Sequence, residues 1–499
     1  MSSRYDPGRG RRGRWRSVLA VLGAGVTITA LAGAGSLLGA QSATFRPTPI
    51  ALVGKTSTVC TVAPASAASS TSIATVVIRQ APGRPGRLTG TPVGGSTPDL
   101  SLTEQGLGQV QSGRTTSELL VGEGVMATAS SGEVFGLGTS GEQQGLMAAP
   151  CLTPGTEHWF VGVGAEAEFR SELVLTNPDD AQAEVDLQYF GADGELVVAG
   201  SPGLVVEAHD TRTVALEPLV SRAGPLTVSV RATTGRVAAV ARDLHSAGLD
   251  PAGADWHVGS VAPARELVIP AVPEGAGARE LLVANPGPAR AEVTVEVLAQ
   301  TGPFAPVGGE RVEVPPQSTA SVNLAPGLVG QSGAVRLVST VPVTGAVRST
   351  SLRAAAAPDT AVQPATAALV RTGVVALAVP GRDRAADPER TGGVVESELL
   401  LSNGSDRTTT ASFEVLSHAG VSLQRDDVLL GGYATSTRRL RVDGPAYVVV
   451  TVLDGADVRG GVVYTQPEGD VAGLAGVPLT SPDVAGRAPA VVFDPSVGR

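Results

Sequence analysis

The chain has 499 residues, a formal net charge of −10, a hydrophobic share of 42% and an aromatic share of 3%. Its 63 Gly and 36 Pro stay below the range of low-complexity chains, and the hydrophobic share excludes disorder throughout. The acidic balance argues against a general nucleic-acid-binding protein, and the two Cys exclude a disulfide-dense scaffold or a Cys-based zinc ribbon.

The N-terminus predicts a membrane anchor. Residues 1–17 carry six Arg against one Asp, so the remainder of the chain has a net charge of −15. Residues 18–40 follow without a charge, and as a helix they would extend about 34 Å, enough to cross a hydrocarbon core of about 30 Å. The positive-inside rule then places 1–17 in the cytoplasm and everything after about residue 42 outside. The competing interpretation is a cleaved signal peptide.

Residues 43–152 predict a separate N-terminal β domain, with strands at Ser57–Val62, Ile73–Arg79 and Glu118–Thr128. Cys60 and Cys151 bracket this segment. Outside the cytoplasm a pair of Cys is most often bonded, so we expect a disulfide between them. The alternative is two buried free thiols.

One phrase recurs three times, as SELVLTNP, RELLVANP and SELLLSNG, and it ends near Asn177, Asn285 and Asn403. Each phrase is followed by a turn and an alternating segment such as EVDLQY at Glu184–Tyr189. Alternation of period two predicts a strand with one buried and one wet face, as in antiparallel sheets.

About seven short strands recur in each of three repeats, at residues 157–246, 264–353 and 371–466. This pattern predicts an all-β protein of tandem immunoglobulin-like β-sandwich domains after one N-terminal transmembrane helix. Gly235, Gly345 and Gly455 are expected in hairpin turns. The Ala-, Pro- and Gly-rich segments 247–263 and 354–370 are expected to be linkers that give a semi-extended rod, and 467–499 a flexible tail.

The repeated Asn residues are expected at one equivalent corner in each repeat. An Asn at a strand end can bond nearby backbone in an Asx-turn, and Pro178 and Pro286 then stop the ladder because Pro has no N–H to donate. The alternative is that the three Asn line a shared ligand surface.

The motifs predict no catalytic, cofactor-binding or metal site. The GxGxxG match at 136–141 has no room for the helix that a dinucleotide site requires. Asp243-x-His245 and Asp255-x-His257 could hold a metal, but His residues exposed in loops or at strand ends are the expectation. Trp159 and Trp256 open similar phrases, so they could contact a glycan; the alternative is that each packs a junction between domains.

The arrangement resembles a family of unknown function among envelope proteins of high-GC Gram-positive bacteria. The resemblance rests on the E-L-x-x-x-N-P phrases at Glu172–Pro178 and Glu280–Pro286, and on Cys151 followed by Pro154-Gly155 and Trp159–Gly162. The third repeat departs from it, with Gly404 in place of Pro. The resemblance implies a basic N-terminus, one membrane helix and tandem extracellular domains, and it carries no catalytic residues.

These observations favour a non-enzymatic, single-pass membrane protein of the cell envelope, with its N-terminus cytoplasmic and its C-terminal domains extracellular. It would act as a scaffold or partner-binding protein, with the membrane, an envelope protein or a cell-wall glycan as partner, no nucleic acid and no cofactor. The alternative function is a glycan-binding accessory protein in cell-wall polysaccharide assembly. An enzyme would require acids or His from separate repeats to converge in one cleft.

Overall fold

The computed structural model describes residues 50–62, 69–79, 85–220, 224–377, 395–442, 444–453, 455–467, 469–482 and 485–487. The predicted basic segment 1–17 and membrane helix 18–40 lie outside these residues. The described part contains no helix long and apolar enough to cross a membrane. The chain divides into two compact units. The larger is Val53–Val484, and the smaller consists of Met1–Leu52 and Ala485–Arg499. In the latter, β1 (Ile50–Leu52) pairs antiparallel with β36 (Ala485–Arg487).

The larger unit is all-β and is built from several antiparallel sheets. Its first part, here the N-terminal module, has the sheet orders β2-β7-β4-β5 and β6-β3-β8-β9. The strands are β2 (Lys55–Cys60), β3 (Ser69–Val77), β4 (Arg87–Pro92), β5 (Leu100–Leu102), β6 (Leu107–Ser112), β7 (Glu118–Glu123), β8 (Ser130–Gly138) and β9 (Gly145–Pro150). A 3-10 turn at Gly124–Thr128 ends the segment predicted as one strand at Glu118–Thr128.

The first repeat, module 1, has the sheet orders β10-β17-β13-β14 and β11-β12-β18-β19, with β15 on β13 and β16 on β12. Its strands are β10 (Glu157–Val163), β11 (Ala165–Glu166), β12 (Phe169–Asn177), β13 (Ala183–Gly191), β14 (Gly194–Leu196), β15 (Leu204–Val206), β16 (Asp210–Ala215), β17 (Leu226–Thr234), β18 (Ala238–Ala247) and β19 (Asp250–His257).

The second repeat, module 2, joins its two sheets through one long strand, β26, which pairs with β20 and β22 in one sheet and with β21 and β27 in the other. Its elements are β20 (Ala264–Val272), β21 (Arg279–Asn285), β22 (Ala291–Ala299), β23 (Gly302–Phe304), β24 (Arg311–Val314), β25 (Ser318–Asn323), α1 (Ala325–Leu328), β26 (Gly333–Ser351) and β27 (Asp359–Pro364).

The third repeat, module 3, has the sheet orders β28-β33-β30-β31 and β32-β29-β34-β35. Its strands are β28 (Thr372–Leu377), β29 (Glu396–Asn403), β30 (Thr409–Ser417), β31 (Ser422–Leu430), β32 (Thr435–Leu440), β33 (Ala446–Val452), β34 (Val458–Thr465) and β35 (Leu474–Pro478).

The predicted alternation positions the cores. In β13, Val185, Leu187 and Tyr189 are buried while Glu184 and Gln188 are exposed, because successive side chains of a strand point to opposite faces. Modules 1 and 2 each have their own main core. The N-terminal module and module 3, at opposite ends of the chain, share one continuous core.

Four equivalent strands meet at the centre of the larger unit. β9 contacts β19 and β35, and β27 contacts the same two strands, so the four close a cycle. We call them the inner strands. The expected rod is therefore wrong. The expected linkers 247–263 and 354–370 contain β19 and β27, and the expected tail 467–499 contains β35.

Of the three glycines expected in hairpin turns, two have the backbone conformation of a turn and one lies inside a strand. Gly235 and Gly455 have φ of 70° and 77°, the left-handed backbone that Gly adopts at little cost. Gly345 instead lies inside β26, so its expected turn is wrong. A turn is unnecessary there because β26 continues from one sheet of module 2 into the other, changing partners from β20 and β22 to β21.

Candidate functional site

The N-terminal module is held by one disulfide. Cys60 at the end of β2 and Cys151 directly after β9 are bonded, with Cα atoms 4.2 Å apart and a sequence separation of 91, so the predicted pairing is confirmed. β2 and β9 belong to different sheets. The bond therefore ties the two sheets of this module together.

Asn177, Asn285 and Asn403 occupy the same corner of modules 1, 2 and 3. Each is fully buried and ends the strand of its repeated phrase. In each, the side-chain oxygen accepts a hydrogen bond from the backbone N–H two residues on, at 3.0, 3.1 and 3.0 Å. This bond defines an Asx-turn.

The amide nitrogen of each Asn completes the corner. It donates to the carbonyl four residues on, at Ala181, Ala289 and Arg407. It also donates to a carbonyl 28 or 29 residues ahead, at Val206, Val314 and Gly431. Since donors and acceptor are all used by backbone, the three side chains act as structural ties between neighbouring segments.

Trp159 and Trp256 are both buried, Trp159 against other residues of module 1 and Trp256 between module 1 and the N-terminal module. Trp159 is 6% exposed, stacks on Phe190 with ring centroids 5.8 Å apart and donates from Nε1 to Glu157 at 2.8 Å. Trp256, 2% exposed, packs with Met147 and Ala149 of the N-terminal module. Neither ring presents a face to solvent, which is what a glycan contact requires.

A buried carboxylate links the inner strands. Asp359, at the start of β27, accepts hydrogen bonds from the N–H of Leu146 in β9 at 2.8 Å and of Leu474 in β35 at 2.9 Å. It also accepts from the N–H of Thr360 at 2.9 Å and from that of Ala254 in β19. One side chain thus contacts backbone of all four modules.

Asp255 in β19 is the second carboxyl of this centre. Its Oδ1 accepts from the N–H of Ala148 at 3.1 Å and of Trp256 at 2.7 Å, while Oδ2 has no partner among the described residues. Burial raises the pKa of Asp359 to about 8, although the four N–H donors oppose the shift. Burial, and then the neighbouring Asp359 charge, raise the pKa of Asp255 well above its usual value.

Asp243 and His257 form a buried pair beside this centre. His257 Nδ1 lies 3.0 Å from Asp243 Oδ2, and the Ser171 hydroxyl donates to Asp243 Oδ1. Burial alone raises the pKa of Asp243, but the charge and hydrogen bond of His257 bring it below the usual value. The expectation of exposed His is wrong for His257, which is fully buried, because β19 is an inner strand rather than a linker.

The order of these three groups decides their chemistry. In a nucleophile–base relay the imidazole lies between hydroxyl and carboxylate, whereas here the carboxylate lies between Ser171 and His257. The Ser171 hydroxyl therefore donates to the Asp243 carboxylate, and the imidazole of this cluster bonds only the far side of that carboxylate. The three residues belong to β12, β18 and β19, so the cluster clamps neighbouring strands of one sheet.

His245 stacks on the ring of Phe169 and is not a member of the Asp243–His257 pair. Its ring lies 4.1 Å from that of Phe169, centroid to centroid, and burial lowers its pKa to about 4. Across the described part of the chain, no group of three or more His, Cys, Asp or Glu is arranged to hold a metal ion.

The junction that closes the cycle contains a further buried acid. Glu133 in β8 is 1% exposed, and burial raises its pKa well above the usual value. Tyr464 of module 3 packs edge-on against Phe135, with centroids 5.3 Å apart, and donates to the Ala376 carbonyl at 2.9 Å. Aromatic packing thus joins the two ends of the larger unit.

The fold is that of an all-β protein with repeated two-sheet modules and structural Asn corners. The chain belongs to a family of unknown function, DUF5719, whose model matches residues 108–387. A crystal structure of Thermotoga maritima 1070 is similar over 21% of this chain and 96% of its own length, at 16% identity and a TM-score of 0.19. No curated protein matches the chain.

Proposed function

We propose that this chain is a non-enzymatic scaffold or partner-binding protein of the bacterial cell envelope. The observation that carries the proposal is the placement of Asp359 at the meeting point of the four inner strands. The buried acids and the Asp243–His257 pair are used in the same way, between strands and modules. Groups so buried and bonded to backbone favour a rigid body that presents surfaces over one that performs chemistry.

We further propose that each two-sheet module is an immunoglobulin-like β-sandwich and that residues 18–40 anchor the chain as a single membrane helix. The support is the Arg-rich segment 1–17, followed by 23 uncharged residues, and the net charge of −15 on the remainder. A disulfide at Cys60–Cys151 suits an oxidising, extracytoplasmic location. The family resemblance to single-pass envelope proteins of high-GC Gram-positive bacteria points the same way.

The glycan-binding alternative has weaker support. It depends on Trp159 or Trp256 offering an aromatic face, and both side chains are at least nine-tenths buried against protein. Their burial favours the scaffold.

Photo-crosslinking in intact cells tests the proposal. A photo-reactive amino acid replaces Leu249, Val307 or Leu429, which are 101%, 76% and 71% exposed and lie in modules 1, 2 and 3. The matched control replaces Phe160, which is fully buried in the core of module 1. We expect irradiation to link extracytoplasmic proteins from at least one exposed position and none from the control. Cytoplasmic proteins as the only products, or no product at all, would contradict the proposal.

A further inference from the structure

A cleft lies where the N-terminal module, the turn between β17 and β18 and the residues after β35 meet. Its volume is about 540 Å³, within the range of about 300–1,000 Å³ that is typical of ligand pockets. Half of the residues that line it are Ser or Thr, and its remaining polar side chains include Lys55 and Arg236. The cleft is separate from the buried centre of inner strands.

One wall of this cleft is the free edge of β2. β2 is the terminal strand of its sheet and pairs only with β7. On its other side Val59 exchanges two hydrogen bonds with Leu152, both 2.8 Å. Because alternate residues of a strand direct their N–H and C=O to the same side, those of Ser57 and Lys55 also point away from β7. Among the described residues these four groups have no backbone partner.

The sequence explains why the ladder stops there. Leu152 begins a pairing with β2, but two residues later Pro154 has no N–H to donate. Gly155 then pairs with Val237 of module 1 instead. The chain therefore leaves the edge of β2 after a single residue pair, and the cleft occupies the space along Ser57 and Lys55.

We propose that an extended segment of a partner protein binds in this cleft by adding a strand to β2, opposite Ser57 and Lys55. Main-chain hydrogen bonds supply the affinity in this mode of recognition, and flanking pockets supply the specificity. The cleft is lined by small hydroxyl and apolar side chains, which suit a segment of small, uncharged residues. The inference rests on the proposed partner-binding function and names the class of partner.

The cleft favours a peptide over a glycan or an anion. Among the described residues that line it, none is aromatic, so it offers no stacking platform for a sugar. Both of its cations are engaged already. Lys55 lies 3.4 Å from Glu123, and Arg236 makes two bonds to Asp179, at 2.8 and 2.9 Å. The groups left over are main-chain donors and acceptors, hydroxyls and apolar side chains such as Leu152 and Pro482, which match an uncharged extended segment.

Selection of phage-displayed random 12-residue peptides on the full-length protein tests the proposal. Ser57→Pro removes the outward N–H without removing a bond to β7, a position where an edge strand tolerates Pro. Ser57→Ala is the matched control, since it keeps the main chain and loses only the hydroxyl that Arg236 contacts at 3.5 Å. Selected peptides should bind Ser57→Pro at least tenfold more weakly than Ser57→Ala, because the two variants differ in the outward N–H and both lack the hydroxyl.

Two further measurements keep the test independent of the folding of the Pro variant. N-methylation of alternate peptide residues should weaken binding to the wild type at least tenfold, and peptide binding should slow amide hydrogen exchange at residues 53–58. No enriched peptide, equal binding of methylated peptides, or binding of chitohexaose in place of any peptide would overturn the inference. Crosslinks from Leu249 or Leu429 that persist in Ser57→Pro would leave the scaffold proposal standing even then.

Discussion

Replacing Asp359 with Ala is expected to lower the free energy of unfolding by about 3–5 kcal/mol. The substitution leaves buried N–H groups of Leu146, Leu474 and Ala254 without their acceptor, and an unpaired buried donor costs about 1–3 kcal/mol. Urea unfolding of the full chain followed by tryptophan fluorescence measures the loss. Asp426→Ala is the matched control. Its carboxylate lies in an exposed ion pair 3.4 Å from Arg438, and such pairs contribute about 0–1 kcal/mol.

Asp359 should also make the stability of the folded chain depend on pH. The Asp359 carboxyl titrates near pH 8 in the folded chain and near 3.8 in the unfolded chain. The folded state therefore binds this proton more tightly than the unfolded state does. The contribution of Asp359 to the free energy of unfolding falls as the pH rises from about 4 to about 8. His245, whose pKa burial lowers from 6.5 to about 4, acts in the opposite direction but only below about pH 6.5. Between pH 6.5 and 8, Asp359→Asn should therefore show a shallower decline than the wild type.

A loss of less than about 1 kcal/mol for Asp359→Ala, equal to that of the Asp426 control, would contradict the role of Asp359 as the tie between modules.

Removing the disulfide is expected to have the second large effect. In the chain-entropy model, closing a loop of 91 residues stabilises by about 4–5 kcal/mol. Cys60→Ala combined with Cys151→Ala should lower the stability by about this amount, and reductant added to the wild type should reproduce the loss. The loss should be greatest in the N-terminal module, where hydrogen exchange of β2 and β9 would accelerate. An unfolding midpoint that does not respond to reductant would contradict the prediction.

The features that could be predicted from the sequence are those with a local signal in the chain, such as strands with one face exposed to solvent. The alternating strand β13 and the Asn corners carry a local signal, since period two and a strand-ending Asn can each be read within ten residues. The disulfide followed from Cys60 and Cys151 being the only Cys.

The inner strands could not be predicted in this way. β9 and β27 are buried at every position, so neither alternates, and their Gly, Ala and Pro are the residues that linkers also use. The small residues have a physical reason. A Cβ added at Gly145 or Gly253 would lie 2.6 or 2.7 Å from Asp359 Oδ1, so only Gly allows the strands to approach this carboxylate. Such contacts between modules leave no periodic trace in the chain.

The buried Asp243–His257 pair could not be predicted from the sequence either. Asp255-x-His257 lies in segment 247–263, whose composition is typical of a linker, and an exposed imidazole is the ordinary expectation there. The Asp-x-His spacing in two successive segments was the available signal, and it became meaningful only once both segments were placed side by side as β18 and β19.

An engineered disulfide between the N-terminal module and the residues after β35 tests whether the modules form a closed cycle. Ser131 in the N-terminal module and Thr480 after β35 have side-chain oxygens 3.1 Å apart, although 349 residues separate them in sequence. Ser131→Cys with Thr480→Cys should therefore form a bond between positions 131 and 480 in an oxidising compartment, detected by mass spectrometry of unreduced peptides. The control pairs Ser131→Cys with Thr437→Cys, whose native hydroxyl contacts Ser332 of module 2 instead. We expect a bond in the first pair and none in the second; no bond between 131 and 480, with Cys60–Cys151 intact, would contradict the closed cycle of modules.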